Sequence, residues 1–260
     1  MLKIRIIPTL LWKDVGLVKG KQFDSWRRVG SVIPAVRVYN TRQVDELILV
    51  DIMASKEKRI PDFDAIREIS SECFFPFTVG GGITDIEHIK QLLRCGADKV
   101  SINTGAFIAP DLINKGAKQF GAQCIVVSID ARPINGIYHC FSHAGTVDTG
   151  KEVIVWAQEA ERRGAGEILL TSINHDGEMK GYDLELIKRV SAAVSIPVIA
   201  SGGAGNYEDM YQAITTGGAS AVAAASIFHF TEQTPLEAKE YLSKKGVPTR
   251  KRFIQEVGPT

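Results

Sequence analysis

Gly80-Gly-Gly82 and Ser201-Gly-Gly203 each close a short apolar run, and Gly82 and Gly203 stand 121 residues apart. Glycines at such a point let backbone N–H groups come close to an anion, and a helix that follows turns its positive end to the same place. Asn103-Thr104 and Ala225-Ser226 lie a little downstream of each and add small residues with backbone or hydroxyl donors. These residue types suit the holding of phosphate, and two such cups on one opening suit a ligand with a phosphate at each end. One Gly-Gly pair more often makes only a tight turn; its repetition at matching positions favours phosphate. Four charges follow another pattern: Arg5, Glu46, Lys99 and Glu167 each fall at or near the start of an apolar run. Inward charges of alternating sign neutralise one another in a ring, because isolated buried charges are too costly. Such a ring is structural by default, and at the end of a hollow axis it is a gate.

The elements that must position these residues repeat. Glu46-Leu-Ile-Leu-Val-Asp51, Phe77-Thr-Val-Gly-Gly-Gly82 and Gly96-Ala-Asp-Lys-Val-Ser-Ile-Asn103 are restated as Glu167-Ile-Leu-Leu-Thr-Ser172, Val198-Ile-Ala-Ser-Gly-Gly203 and Gly218-Ala-Ser-Ala-Val-Ala-Ala-Ala225. A near-constant offset across three blocks indicates two related halves, about 1–120 and 121–240. Eight strands are predicted near 4–10, 46–51, 75–80, 98–103, 123–130, 167–172, 196–201 and 219–224. Helical patterns cover 62–73, 85–95, 110–120, 151–163, 183–194 and 207–216, with a capping box at Thr84-Asp-Ile-Glu87 and Pro110-Asp111 in a first turn. Alternating strands and helices in two four-unit halves predict a single (β/α)8 TIM barrel domain over 1–260, with its site at the C-terminal ends of the strands.

Two connections are long. Residues 12–31, with Lys13, Lys19, Lys21 and Trp26, read as a mobile lid, and 131–150 as a small hairpin on which His139 and His143, lacking a third partner, are surface residues. The basic tail from Lys244 reads as a solvated end. A net charge of +1 gives no reason to expect nucleic acid. Four cysteines without a C-x-x-C pair argue against zinc and for a reducing compartment. No cofactor or metal is expected, and with neither a signal peptide nor a membrane span in view the expected location is cytoplasmic.

The chain resembles, nearly end to end, the cyclase subunit of imidazole glycerol phosphate synthase. The resemblance rests on Phe77-Thr-Val-Gly-Gly-Gly-Ile83, Gly96-Ala-Asp-Lys-Val-Ser-Ile-Asn103, Gly164-Ala-Gly-Glu-Ile-Leu-Leu-Thr-Ser172, Gly181-Tyr-Asp183 and Ile199-Ala-Ser-Gly-Gly-Ala-Gly205. It implies a glutaminase subunit docked at the barrel bottom, ammonia travelling up the axis, and closure of an imidazole ring at the mouth on a substrate with two phosphates. It assigns the ammonia gate to Arg5, Glu46, Lys99 and Glu167, and phosphate contacts to Gly82, Asn103, Thr104, Gly177, Gly203, Ala225 and Ser226. Lys19 and Asp176 complete the expected substrate-binding set. The family uses two catalytic aspartates, at the ends of strands one and five. Asp130 supplies one, while Leu11 stands where the other belongs, and leucine transfers no proton. Asp14 and Asp51 lie nearby, Asp14 too far into the loop to substitute.

Leu10-Leu-Trp-Lys-Asp-Val-Gly-Leu-Val18 and Asn174-His-Asp-Gly-Glu-Met-Lys-Gly-Tyr-Asp183 are similar to cyclase-like proteins of surface-polysaccharide gene clusters, which work with a glutaminase and a sugar amidotransferase. The resemblance thus implies an ammonia conduit for sugar amidination. The alternative is a working cyclase-lyase of histidine biosynthesis. A third reading, the phosphoribosyl isomerase of the same pathway, needs no gate.

Overall fold

The computed structural model describes residues 3–14 and 16–250. In chain order its elements are β1 (Arg5–Lys13), β2 (Gly16–Lys21), β3 (Asp24–Gly30), α1 (Val32–Thr41), β4 (Leu47–Asp51), α2 (Phe63–Ser71), β5 (Phe77–Gly80) and α3 (Ile86–Arg94). Then come β6 (Lys99–Ile102), α4 (Thr104–Ile108), α5 (Asp111–Phe120), β7 (Ile125–Ile134), β8 (Ile137–Ser142), β9 (Val147–Glu152) and α6 (Val153–Arg162). The chain continues through β10 (Glu167–Ser172), α7 (Leu184–Ala193), β11 (Val198–Ser201), α8 (Tyr207–Thr215), β12 (Ala221–Ala224), α9 (Ser226–Phe230) and α10 (Pro235–Lys244).

Eight of these strands close into a parallel ring in the order β1-β4-β5-β6-β7-β10-β11-β12, with β12 returning to β1. The fold is a (β/α)8 TIM barrel, as the alternation of strands and helices predicts. Both faces of each strand are buried, which is why the strands read as continuous apolar runs. Outward residues such as Ile6, Leu47, Val79, Val127 and Leu170 join the core beneath the helices. Inward residues Ile7, Ile48, Val126, Leu169, Ile199, Ala221 and Ala223 form a second, separate cluster inside the barrel. No helix among the described residues is long and apolar enough to cross a membrane.

The structure adds to the sequence reading in five places. Residues 16–30 form a hairpin, β2 on β1 and β3 on β2, with register shifts along it. Residues 125–152 form a three-stranded meander of β7, β8 and β9 rather than a single hairpin. Helix α1 was hidden by its β-branched Val32, Ile33, Val36 and Val38; burial of Val36 and Tyr39 sets it. Helix α10 carries Pro235 in its first turn and a full capping box between Thr234 and Glu237. The N-cap of α3 is Asp85, one residue beyond the expected Thr84.

Helix α10 also ties the barrel seam. Lys239 Nζ is 2.8 Å from Asp45 Oδ1 and donates to the Gln43 carbonyl, while the Ile6 N–H donates to Asp45 Oδ2. The first part of the basic tail is therefore docked: Lys245 pairs with Glu208, and Thr249 bridges Ile4. Residues 251–260 of that tail lie outside the described residues.

Candidate functional site

The four expected gate charges meet at the N-terminal ends of the strands. Arg5 is 2.6 Å from Glu46 and 3.0 Å from Glu167, and Lys99 is 3.0 Å from Glu46 and 3.1 Å from Glu167. Thr78 Oγ1 donates to Glu46 as well. Each charge faces two opposite charges, which offsets the cost of removing it from water. Alternating inward positions above the ring carry the apolar interior cluster.

At the opposite end a cavity of about 360 Å³ opens. Its wall brings together Leu11, Gly82, Asn103, Thr104, Asp130, Asp176, Gly177, Gly203, Ala225 and Ser226. Lys19 alone of the expected ligand-binding residues is absent from that wall. Its buried ammonium donates to the Thr9 carbonyl at 2.9 Å and lies behind the surface, within the field of Asp176.

The repeated glycines have left-handed backbones, with φ of 71° at Gly82 and 117° at Gly203. A side chain at Gly82 would come within 2.6 Å of the Arg59 carbonyl, and one at Gly203 would strike the Gly181 carbonyl. These turns therefore require glycine with or without an anion. The long helices that follow do not offer free amides as expected. Asp85 accepts from the Glu87 and His88 N–H groups at the start of α3, and Asn206 forms a capping box with Asp209 at the start of α8. The short helices α4 and α9 lack any side-chain cap among the described residues, which leaves the amides of Thr104, Gly105, Ser226 and Ile227 at their starts beside the cavity.

Asn103 and Thr104 are committed internally. The Asn103 amide donates to Asp130 Oδ2 at 3.1 Å and to the Ser128 and Phe141 carbonyls. Thr104 Oγ1 accepts from the His143 N–H at 2.9 Å. His143 reaches the cavity wall, whereas His139 is 3.3 Å from Asp148 on the hairpin. Asp51 lines the cavity too, but its carboxylate is bound by Arg59 and the Met53 and Ala54 N–H groups.

Burial, reinforced by the Asp176 charge, pushes the Asp130 carboxyl up to about 7. Burial likewise raises Asp176 and lowers Lys19, each restrained by the charge of the other. The Asp130 carboxyl therefore lies close to neutrality within the cavity, well above the usual carboxylate range. Leu11 occupies the corresponding position across the barrel. Leu11 pairs with Val50 and Asp130 with Thr171, and Thr171 follows Val50 by the 121 residues that separate Gly82 from Gly203. Sequence reasoning missed His229 on α9, whose Nε2 is enclosed without a partner among the described residues. Burial, with Lys19 and Arg42 adding to it, lowers that imidazole to about 4.

Residues 5–234 match the family described as histidine biosynthesis protein. The chain is 49% identical over 252 residues to imidazole glycerol phosphate synthase subunit HisF of Bacillus licheniformis, covering 96% of this chain and 100% of that one. It is 48% identical over 250 residues to the subunit HisF of Chlorobaculum parvum, at the same coverage. It is also 48% identical over 252 residues to that of Anoxybacillus flavithermus, again at 96% and 100%. With that likeness running the length of the barrel, the chain belongs to the HisF family of histidine biosynthesis proteins.

Proposed function

We propose that this protein docks a glutaminase at its lower rim, passes ammonia through the four-charge gate and delivers it at the mouth, where a separate amidotransferase uses it to amidinate a polysaccharide sugar. The observation that carries this reading is Leu11 at the register position of Asp130, above a gate in which all four charges are paired. Ring closure calls for an acid and a base, and a hydrocarbon side chain supplies neither. Passage of ammonia calls only for an uncharged route between gate and mouth, and the interior cluster there is apolar. The amides at the starts of α4 and α9 would seat a phosphate-bearing ligand from either side.

The test is turnover of the two-phosphate imidazole precursor by the purified protein with its glutaminase, or with ammonium salts. This reading expects background rates, together with co-purification of a glutaminase and an amidotransferase from the native host. A rate typical of a biosynthetic enzyme would overturn it. A second reading, the cyclase-lyase of histidine biosynthesis, is favoured by one observation: Asp130 and Asp176 face the same cavity and are both raised toward neutrality. Under that reading Asp176→Asn abolishes turnover; under the first it leaves ammonia delivery intact.

A further inference from the structure

The charges of this chain are unevenly spread. Residues 12–31 hold five lysines and arginines against two carboxylates, and residues 52–61 hold three against one. These thirty residues carry five positive charges in excess in a chain of net charge +1, so the other 230 are acidic by four. Both segments run from the C-terminal ends of β1 and β4, which are neighbours in the ring, and so share one side of the mouth. Lys13, Lys21, Arg28, Lys56 and Lys58 make no ion pair among the described residues, and Arg27 lies over the Phe230 ring at 4.5 Å. On the side of the mouth formed after β7 and β10, by contrast, Lys151 binds Glu159 and Lys180 binds Glu178.

Apolar side chains stand among these cations. Ile60, after β4, is 58% exposed, and Ile108, at the end of α4, is 67% exposed. Both line the mouth cavity, as does Trp26 of β3. Strand β3 pairs with β2 alone, so its outer edge is open. The hairpin that carries it is nonetheless held in place, because the Gln22 N–H donates to the Asp176 carbonyl at 2.8 Å and Arg27 covers Phe230. This face is therefore set in advance, which lowers the entropy lost when something binds to it.

The chemistry of the face limits its occupant. A single surface lysine is ordinarily just solvated, but arginine and tryptophan beside exposed isoleucines are the residue types of a protein interface. A small anion would satisfy the cations and leave Ile60 and Ile108 in water. A second copy of the same face would be repelled by its charge, and arginines on an open edge strand turn like strands away. An acidic protein surface meets neither objection. Function asks for such a joint, since neutral ammonia released into open water is protonated and dispersed. We propose that the β2–β3 hairpin, the β4–α2 connection and the end of α4 form the docking surface for the ammonia-consuming enzyme, which meets it with an acidic face around an apolar centre. This rests on the reading of the chain as an ammonia conduit and adds the surface that joins the conduit to its acceptor enzyme.

The experiment measures association and dissociation of the full chain with the purified sugar amidotransferase of the native host, at low and at high salt. The expected result is saturable binding whose association rate falls as salt rises. Reversing three rim charges together, with Lys21→Glu, Arg28→Glu and Lys56→Glu, slows association about ten- to hundredfold. Ile108→Ser acts instead on dissociation, speeding it about tenfold. Unchanged thermal unfolding and unchanged glutaminase binding at the lower rim show that the variants are folded. Absence of binding by the parent, or binding that the triple variant leaves unaltered, overturns the docking surface. So does a triple variant that instead loses binding to inorganic pyrophosphate or to phosphatidylglycerol vesicles, which assigns the face to a small anion or a membrane. Glutamine-driven amidination that persists undiminished in the triple variant sinks the surface and leaves the conduit standing, whereas the conduit itself falls only to turnover of the imidazole precursor.

Discussion

At the top of β1, Leu11 pairs with Val18 on one side and Val50 on the other; at the top of β7, Asp130 pairs with Phe141 and Thr171. The backbone is the same construction twice, down to an antiparallel strand added beside each. The side chains differ in a concerted way. Asp130 receives the Asn103 amide from the neighbouring strand end, whereas the residue at the matching position beside Leu11 is Ala225, whose methyl side chain has nothing to donate. One half thus supports a carboxyl and the other presents hydrocarbon. The lower rim is divided differently: its glutamates, Glu46 and Glu167, are matched across the halves, both cations, Arg5 and Lys99, come from the first half, and all four interlock. The comparison teaches that a barrel can keep a matched pair of scaffold glutamates while its reactive end becomes one-sided.

The largest expected effect comes from restoring symmetry. Leu11→Asp should raise turnover of the imidazole precursor by about two to four orders of magnitude from background. No gain would break the equivalence of the two strand ends. Next is the lower rim, where the glutamates are matched in role but not in burial, with side chains 2% exposed at Glu46 and 13% at Glu167. Glu46→Gln should cost about 3–5 kcal/mol in urea unfolding by leaving Arg5 and Lys99 short of a partner. Glu167→Gln should cost less; equal losses would show that burial does not set the difference.

A smaller effect concerns pH. The Asp130 carboxyl is raised from 3.8 to about 7 in the fold. Its protonated form is therefore favoured by the folded state, and its contribution to stability is full below the unfolded value and lost as pH rises through about 7. Asp130→Asn should gain on the parent by on the order of a few kcal/mol between pH 4 and 8. Parallel denaturation curves for the two proteins across that range would contradict the assignment. The smallest effects test what the halves share. Asp85→Ala and Asn206→Ala remove corresponding helix caps, and each should cost about 1 kcal/mol in thermal or urea unfolding. Binding of inorganic phosphate at the mouth should be unchanged by either, because the uncapped amides belong to α4 and α9.

The strands, the barrel and the ring of four charges were legible because their signals are regular: apolar runs on a fixed rhythm, charges at the start of four of them, and an offset that repeats. Leu11 was legible for the same reason, as a break in the repeat. What stayed hidden depends on packing at a distance. Val32, Ile33 and Val36 have strand propensity, and only burial against the barrel makes them a helix. Lys19 sits in a hairpin segment rich in lysine and glycine, and nothing local says that its ammonium turns inward to Thr9. That the first amides of α3 and α8 are taken up internally stayed hidden, because Asp85 and Asn206 bind them only once the helices form.

The seam between β12 and β1 bears on how the barrel assembles. Arg5 pairs with Ala221 across most of the chain, and the Lys239–Asp45 pair with the Ile6 amide fastens the same junction. Contacts between such distant residues carry a large loop-closure entropy, so this junction is expected to form after the local strand-helix units. Interactions absent from the transition state act on the rate of opening rather than of folding. Lys239→Met should therefore speed unfolding while leaving refolding nearly unchanged, which makes the buried pair a kinetic latch on an otherwise continuous ring.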